Sequence, residues 1–165
     1  MTEKEKFMYR VMSRISESDA PIVFKGAMVT KLILAESGFT NLERQTKDID
    51  ANWVGAPPPM GALVETVNLA LEGLEIQCYA SAYRDYAEKT SAGISVRLRD
   101  TDEEVIIMGI SMRPVAGSRV YHYGEIRVRG VLANEILADK LTVMSKTHFP
   151  AREGHSGRVR PRSLR

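Results

Sequence analysis

Apolar side chains return every three or four residues at the start of the chain, which is the period of an amphipathic helix. The residues on this face are Phe7, Val11, Met12 and Ile15. A polar stretch that contains a proline, residues 18–21, ends the pattern. The pattern predicts one helix before the core of the domain.

A strand, a tight turn and a second helix are predicted between residues 22 and 38. The run 22–24, Ile-Val-Phe, is short and β-prone, and it leads into Lys25 and Gly26. Apolar residues then recur at helical spacing up to Gly38, and glycine is a common residue at a helix end. The members of this second apolar face are Met28, Val29, Leu32, Ile33 and Ala35.

The segment after residue 47 predicts another strand and another helix. Apolar and acidic residues alternate over 48–54, which is typical of a half-buried strand. The strand should close at the Gly-Ala-Pro-Pro-Pro segment 55–59, because proline cannot donate to a sheet ladder. A helix is expected from about Met60 to Leu71.

The second half of the chain predicts a hairpin, a further strand and a last helix. Residues 94–98 alternate strictly and 105–112 are mostly apolar, with a polar turn between them, so these runs predict a hairpin. Residues 125–129 alternate again, and 131–144 return to helical spacing. This order predicts an α/β or α+β domain, residues 1–150, in which helices flank a mixed β-sheet.

Composition places the chain among soluble globular proteins. Its 165 residues suit one domain, and its apolar and charged fractions, 44% and 27%, are ordinary. No apolar run approaches the ~20 residues that a membrane span needs, and the N-terminus lacks the pattern of a signal peptide. The single cysteine, Cys78, has apolar neighbours and is expected to be a buried thiol. We therefore expect a cytoplasmic protein without a membrane partner.

The net charge of +2 is distributed unevenly along the chain. Residues 151–165 contain five arginines and only two aliphatic residues larger than alanine, so they cannot form an amphipathic element. We expect a disordered basic tail over 151–165. It is interpreted either as a solvated tail or as a weak contact for RNA or DNA phosphates.

The tripeptide Asp48-Ile49-Asp50 is the most informative motif. Because side chains in a strand alternate between its two faces, both carboxylates should share one face, with Cα atoms ~7 Å apart. Two adjacent anions repel each other, and a divalent cation removes that cost. Mg²⁺ typically takes one or two carboxylates together with water and phosphate oxygens. Upstream, a glycine where a strand meets a helix start provides backbone N–H groups for a phosphate, so Gly26 complements the pair.

These residues together resemble a known superfamily signature. The segment Phe24-Lys25-Gly26-Ala27, then a helix and residues 44–50, Arg-Gln-Thr-Lys-Asp-Ile-Asp, is similar to the nucleotidyltransferase superfamily, and the second segment resembles its AbiEii/AbiGii toxin branch. The later run 135–141, Glu-Ile-Leu-Ala-Asp-Lys-Leu, resembles that family's lysine helix. The resemblance spans about residues 20–145.

The resemblance implies a role for each matching residue. It assigns Asp48 and Asp50 to metal binding and catalysis, and Lys140 to neutralising phosphate charge. Nucleotide binding is implied for Lys25, Gly26, Ala27, Arg44, Thr46 and Lys140, with Arg44 and Thr46 positioning the acidic strand or the substrate. Without the family, Lys140 would be interpreted as a solvated lysine on an amphipathic helix.

The implied activity is Mg²⁺-dependent transfer of a nucleotidyl group from a nucleoside triphosphate to an acceptor such as RNA, in a toxin–antitoxin or phage-defence setting. The implied partners are the triphosphate and an antitoxin protein. One part of the superfamily pattern is absent, because the strand 105–112, which should carry a third carboxylate, contains no acid and has Gly109 near that position. Two alternatives therefore stay open. One is a homologue that only binds nucleotide, and the other is a non-enzymatic module that binds RNA or protein through Arg97, Arg99, Arg127 and Arg129.

The segment after Phe149 departs from the family pattern. Relatives continue into a run resembling Arg-x-Lys-Asp-x-x-Asp and an apolar helix, whereas this chain continues with arginine, glycine and proline. A coding sequence for residues 149–161 that is read one base later can encode FRRAKDIVDVYAL, and this sequence contains that run. We therefore hypothesise a shifted reading frame here. Loss of a C-terminal helical region would leave part of the core face exposed and would favour self-association into a homo-oligomer.

Overall fold

The structure is a computed structural model that describes residues 1–39, 45–87 and 90–148. Within these ranges the chain forms four helices and one seven-stranded sheet. The predicted tail, 151–165, and the candidate residue Arg44 lie outside the described residues. The helices are α1 (Glu3–Glu17), α2 (Gly26–Glu36), α3 (Met60–Leu71) and α4 (Ala133–His148). The strands are β1 (Ile22–Lys25), β2 (Asp48–Trp53), β3 (Cys78–Ala87), β4 (Ser91–Leu98), β5 (Glu104–Ser111), β6 (Ser118–Tyr123) and β7 (Ile126–Val131).

The sheet is mixed, as the sequence predicts, and its strand order is β3-β4-β5-β2-β1-β7-β6. Strand β2 lies in the middle, antiparallel to β1 and parallel to β5. Helix α1 packs on β7 and α3, whereas α2 packs on β6, β2 and α4. The core includes the largest fully buried side chains, such as Tyr9, Phe24 and Tyr121.

Most predicted elements are confirmed, and two strands were not predicted. Strand β3 is interrupted by two register shifts against β4, so its sequence does not keep a regular period. Strand β6 exposes every residue except Tyr121, so no apolar alternation marks it. Cys78 is buried, as expected, and burial raises the pKa of its thiol. No helix in the described part of the chain is long and apolar enough to span a membrane.

Two serines of α1 complete the hydrogen bonding of β7. Strand β7 pairs with β1 only around Gly130, which leaves backbone N–H groups of its first half without a strand partner on that side. The Oγ of Ser13 accepts the N–H of Arg127 at 3.1 Å, and the Oγ of Ser16 accepts the N–H of Arg129 at 2.9 Å. Helix α1 therefore takes the place of a neighbouring strand along part of β7.

The outer edge of the sheet is covered by a carboxylate from α2. Glu36, the last residue of α2, accepts the backbone N–H of His122 at 2.9 Å and the guanidinium of Arg119 at 2.5 Å. Arg119 in turn lies over the ring of Tyr121, with 3.9 Å between its Cζ and the ring centroid. Burial alone would raise the pKa of Glu36, but the hydrogen bonds from His122 and Arg119 outweigh it and lower that pKa. This contact fixes α2 against β6.

Replacing both serines, Ser13→Ala with Ser16→Ala, is expected to destabilise the fold. Each substitution removes the acceptor of a backbone N–H that α1 shields from water, and such a loss costs roughly 1–3 kcal/mol per donor. Urea unfolding measures the change in the free energy of unfolding. Ser18→Ala is the matched control, because the hydroxyl of Ser18 donates only to Ile15 in its own helix. A double variant as stable as the control would show that the serines do not support β7.

Candidate nucleotide and metal site

Strand β2 presents its two aspartates on one face, as the sequence predicts. Ile49 and Ala51 are fully buried, whereas Asp48 and Asp50 on the opposite face are exposed. The buried residues hold the strand in the centre of the sheet, because turning it over would bring carboxylates into the core. The carboxylates therefore face outward from a rigid strand.

Gly26 brings the start of α2 against Asp50. The φ angle of Gly26 is +73°, a conformation that favours glycine. A Cβ added here would lie 2.5 Å from Oδ2 of Asp50 and 3.1 Å from its Cβ. Only a residue without a side chain permits this approach. The prediction that the acidic strand lies within reach of the turn at Gly26 is confirmed for Asp50.

The N-terminus of α2 is open toward this carboxylate. Lys25 occupies the N-cap position, and it makes no side-chain capping hydrogen bond to the helix. A helix start of this kind presents backbone N–H groups and a partial positive charge, which suits an anion. Lys25 also pairs in register with Asp50 across β1 and β2, so it adds a cation at the same point.

The carboxyl group of Asp50 is difficult to ionise. The residue as a whole is exposed, yet protein atoms crowd its carboxyl group, and the crowding near the charge is what determines its ionisation. Burial raises the pKa of Asp50, the charge of Asp48 raises it further, and Lys25 partly opposes both effects. A divalent cation at this point would relieve the cost that burial and Asp48 impose.

Helix α4 closes the other side of the site. A cavity of about 260 Å³ is lined by Lys25, Gly26, Asp50, Ile136, Asp139 and Lys140. Two of these residues, Lys25 and Lys140, are cations from distant parts of the sequence. The structure thus brings together the glycine turn, the acidic strand and the lysine helix that the sequence singles out.

Ala27 and Thr46 have other surroundings. Ala27 follows Gly26 in the first turn of α2 but does not line the cavity. The Oγ1 of Thr46 is buried and has no hydrogen-bond partner among the described residues. Burial alone would raise the pKa of Glu5, but Lys31 and backbone N–H groups, including that of Thr46, outweigh it and lower that pKa.

Strand β5, where the resemblance implies a third carboxylate, is a neighbour of the acidic strand. Gly109 on β5 pairs in register with Asp50, and a Cβ at Gly109 would lie 3.7 Å from Oδ1 of that aspartate. The residue that faces Asp50 from β5 is therefore a glycine. No group of three or more metal-binding side chains occurs among the described residues.

One residue of the site was missed in the sequence. Asn52 continues the face of Asp48 and Asp50 by two more positions along β2, and it is only 4% exposed. Its Nδ2 donates to the carbonyl of Arg113 at 2.9 Å. The same period of two that relates the aspartates leads to Asn52, but the motif that carries the resemblance ends at Asp50, so the pattern was not extended.

Two of the four sheet arginines, Arg97 and Arg129, are held by internal partners. Arg97 pairs with Asp102 and Glu104, and Arg129 donates to the carbonyl of Ala20 at 2.5 Å. Side chains held in this way are less available to a partner molecule. The larger cavities elsewhere, including a groove of about 530 Å³ along α1, lack both the acidic pair and the glycine turn.

Comparison with known proteins supports the fold. No protein-family model matches the sequence, and no curated protein matches it. Among solved structures, the chain is similar to MenT4, a nucleotidyltransferase toxin from Mycobacterium tuberculosis H37Rv, with a TM-score of 0.52 and 19% sequence identity. The match covers 85% of this chain and 51% of MenT4, so the chain spans about half the length of that protein. The chain has a nucleotidyltransferase-like fold.

The raised pKa of Asp50 predicts that Asp50→Asn stabilises the metal-free protein at neutral pH. A carboxyl group with a raised folded-state pKa gives stability that is fully present below its unfolded-state pKa and is lost as the pH rises through the folded-state pKa. As the pH rises from the unfolded-state pKa through the folded-state pKa of Asp50, the free energy of unfolding of the wild type should fall. That of Asp50→Asn should fall less. Urea unfolding in EDTA, from acidic to neutral pH, measures both curves.

Glu65→Gln serves as the control, since Glu65 is an exposed acid on α3. An Asp50→Asn variant that unfolds at a lower urea concentration than the wild type at neutral pH would contradict this account of the site.

Proposed function

We propose that this chain is a nucleotidyltransferase of the AbiEii/AbiGii toxin type, which transfers a nucleotidyl group from a nucleoside triphosphate to an acceptor, with RNA as the acceptor class. The observation that supports this best is the contact of Gly26 with Asp50 inside a cavity that Lys140 also lines. MenT4, which shares the fold, is a nucleotidyltransferase toxin, and an antitoxin is accordingly the protein partner that we expect.

The donor set fits Mg²⁺. Asp48 and Asp50 supply carboxylate oxygens from one face of a rigid strand. Mg²⁺ commonly binds through one or two carboxylates and completes its shell with water and substrate phosphates, so a third protein ligand is not required. When bound, the ion would orient the phosphate oxygens and stabilise the charge of the departing pyrophosphate.

The protein's own groups would position the triphosphate. The open N–H groups at the start of α2 would bind phosphate oxygens beside Gly26. Lys25 and Lys140 would neutralise further phosphate charge from opposite walls of the cavity. With the phosphates held there, the α-phosphorus would lie near Asp50.

The transfer itself would be a displacement at phosphorus. The acceptor oxygen forms a bond to the α-phosphorus, the bond between that phosphorus and the pyrophosphate oxygen breaks, and the hydroxyl proton leaves to solvent. Such a reaction relies on positioning and charge stabilisation more than on covalent chemistry by the protein. Because β5 offers Gly109 in place of a carboxylate base, we expect the transfer to be slow.

The same glycine favours the second candidate function, which is nucleotide binding without transfer. Incubating the protein with Mg²⁺ and α-labelled nucleoside triphosphates in the presence of cellular RNA separates the two. Label that becomes attached to RNA supports the enzyme. Mg²⁺-dependent binding without labelled RNA supports the second function.

Asp50→Asn is expected to abolish Mg²⁺-dependent nucleotide binding while the protein stays folded. The substitution removes a carboxylate charge that would bind the metal on the exposed face of β2, and it leaves the buried face of the strand intact. We expect the affinity in Mg²⁺ to fall at least about tenfold, or ~1.4 kcal/mol. Isothermal titration with and without Mg²⁺ measures this.

Asp85→Asn, on edge strand β3, is the matched control, because it makes the same chemical change at an exposed position outside the cavity. Circular dichroism verifies folding of both variants. Unchanged Mg²⁺-dependent affinity in folded Asp50→Asn would remove Asp50 from the site.

A further inference from the structure

A second cavity continues from the candidate phosphate site. It has a volume of about 330 Å³, which falls within the range of small-molecule sites. It shares two lining residues, Lys25 and Asp139, with the cavity around Gly26 and Asp50. The two cavities are therefore neighbouring parts of one cleft between α4 and the sheet. A single elongated ligand could occupy both.

Strand β2 runs along the floor of this cleft. Asp48, Asp50 and Asn52 follow one another at every second position on the same face, and Asn52 lines the second cavity. Successive residues on one face are ~7 Å apart, so the amide of Asn52 lies about that far along the strand from the carboxylate of Asp50. A ligand with its phosphate chain at Asp50 would thus place its next chemical unit at Asn52.

Two polar side chains of the second cavity, Asn52 and Glu135, are held in place by hydrogen bonds, and a third, Arg113, is exposed. The buried amide of Asn52 is oriented by its hydrogen bond to the carbonyl of Arg113. Arg113 is exposed and lines this cavity, and it forms no ion pair among the described residues. Glu135 accepts the backbone N–H of Gly117 at 2.8 Å, which holds its carboxylate at the cavity wall. A carboxylate accepts hydrogen bonds from ribose hydroxyls and base amino groups, an amide can both accept and donate them, and arginine stacks on aromatic rings.

The two cavities differ in the groups that each adds to the shared pair, Lys25 and Asp139. The first adds Lys140, Asp50 and the helix N-terminus, and the second adds Arg113, Glu135 and the amide of Asn52. The helix N-terminus suits a phosphate, which places the phosphate chain in the first cavity. The carboxylate and amide of the second cavity suit hydroxyl and amino donors, such as those of a ribose or a base.

We propose that this second cavity holds the nucleoside part of the triphosphate, with Arg113 stacking on the base and Asn52 contacting its edge or the ribose. The inference rests on the proposed function, because it places the phosphates at Gly26 and Asp50. It adds the part of the site that distinguishes a nucleotide from a bare polyphosphate, and therefore any preference among bases.

The test compares nucleoside triphosphates with inorganic tripolyphosphate, both titrated in Mg²⁺ into the full chain. The wild type should bind the nucleotide at least about tenfold more tightly, because only the nucleotide fills both cavities. Arg113→Ala should remove most of this gain and leave tripolyphosphate affinity within about twofold. Thr142→Trp, which fills the second cavity from α4, should have the same effect.

Arg84→Ala is the control, since Arg84 is an exposed arginine on edge strand β3 and does not line either cavity. It should change neither affinity. All three substitutions lie at surface positions or at the cavity wall, and circular dichroism verifies that each variant is folded.

The outcomes separate this inference from the proposed function. If tripolyphosphate binds and the nucleotide gains nothing, the nucleoside does not occupy the second cavity and the inference is wrong. It is also wrong if both variants retain the full gain, or if they lose only transfer to RNA, which would make the cavity an acceptor site. If neither ligand binds in Mg²⁺, the proposed function fails and the inference fails with it.

Discussion

The approach of Gly26 to Asp50 is the constraint on which the rest of the site depends. The strand pairing of β1 with β2 places Lys25 opposite Asp50, and the chain must then turn into α2 within one residue. A positive φ angle and the absence of a side chain make that turn possible. The same approach brings protein atoms around the carboxyl group of Asp50 and points the helix start at it.

This arrangement imposes an electrostatic cost on the folded chain. Burial and the neighbouring charge of Asp48 both disfavour the ionised form of Asp50, and Lys25 offsets only part of that effect. In the site that we propose, a divalent cation and a bound phosphate would together offset this cost.

Much of the fold follows from periodicity, and the exceptions have physical reasons. The apolar faces of α1, α2 and α3 bury against the sheet, so their period of about 3.6 is visible in the sequence. Strands β3 and β6 lie at the two edges, where few positions are buried and bulges are tolerated. Local patterns carry little information at such positions.

The site was predictable to a similar extent. The acidic pair and the glycine turn could be recognised because each has its own local signature. The proposed role of Lys140 came from the family resemblance, since an exposed lysine on a helix is ordinary and only the fold places it on the same cavity as Asp50. Asn52 and Arg113 were missed because they are 61 positions apart in the sequence. Only the fold brings them together, through the hydrogen bond from the Asn52 side chain to the Arg113 carbonyl.

The hydrogen bonds of Glu36 have a consequence for how copies of this protein can associate. An exposed edge strand usually offers its backbone to the edge of another molecule, and sheets can grow in this way. Here the outward N–H of His122 on β6 is already bound by a side chain of the same molecule. A second copy could pair with β6 at His122 only by displacing Glu36 and releasing Arg119 from its ion pair. Helix α2, which begins at Gly26 in the cleft, thus ends by blocking strand addition at this point of the edge.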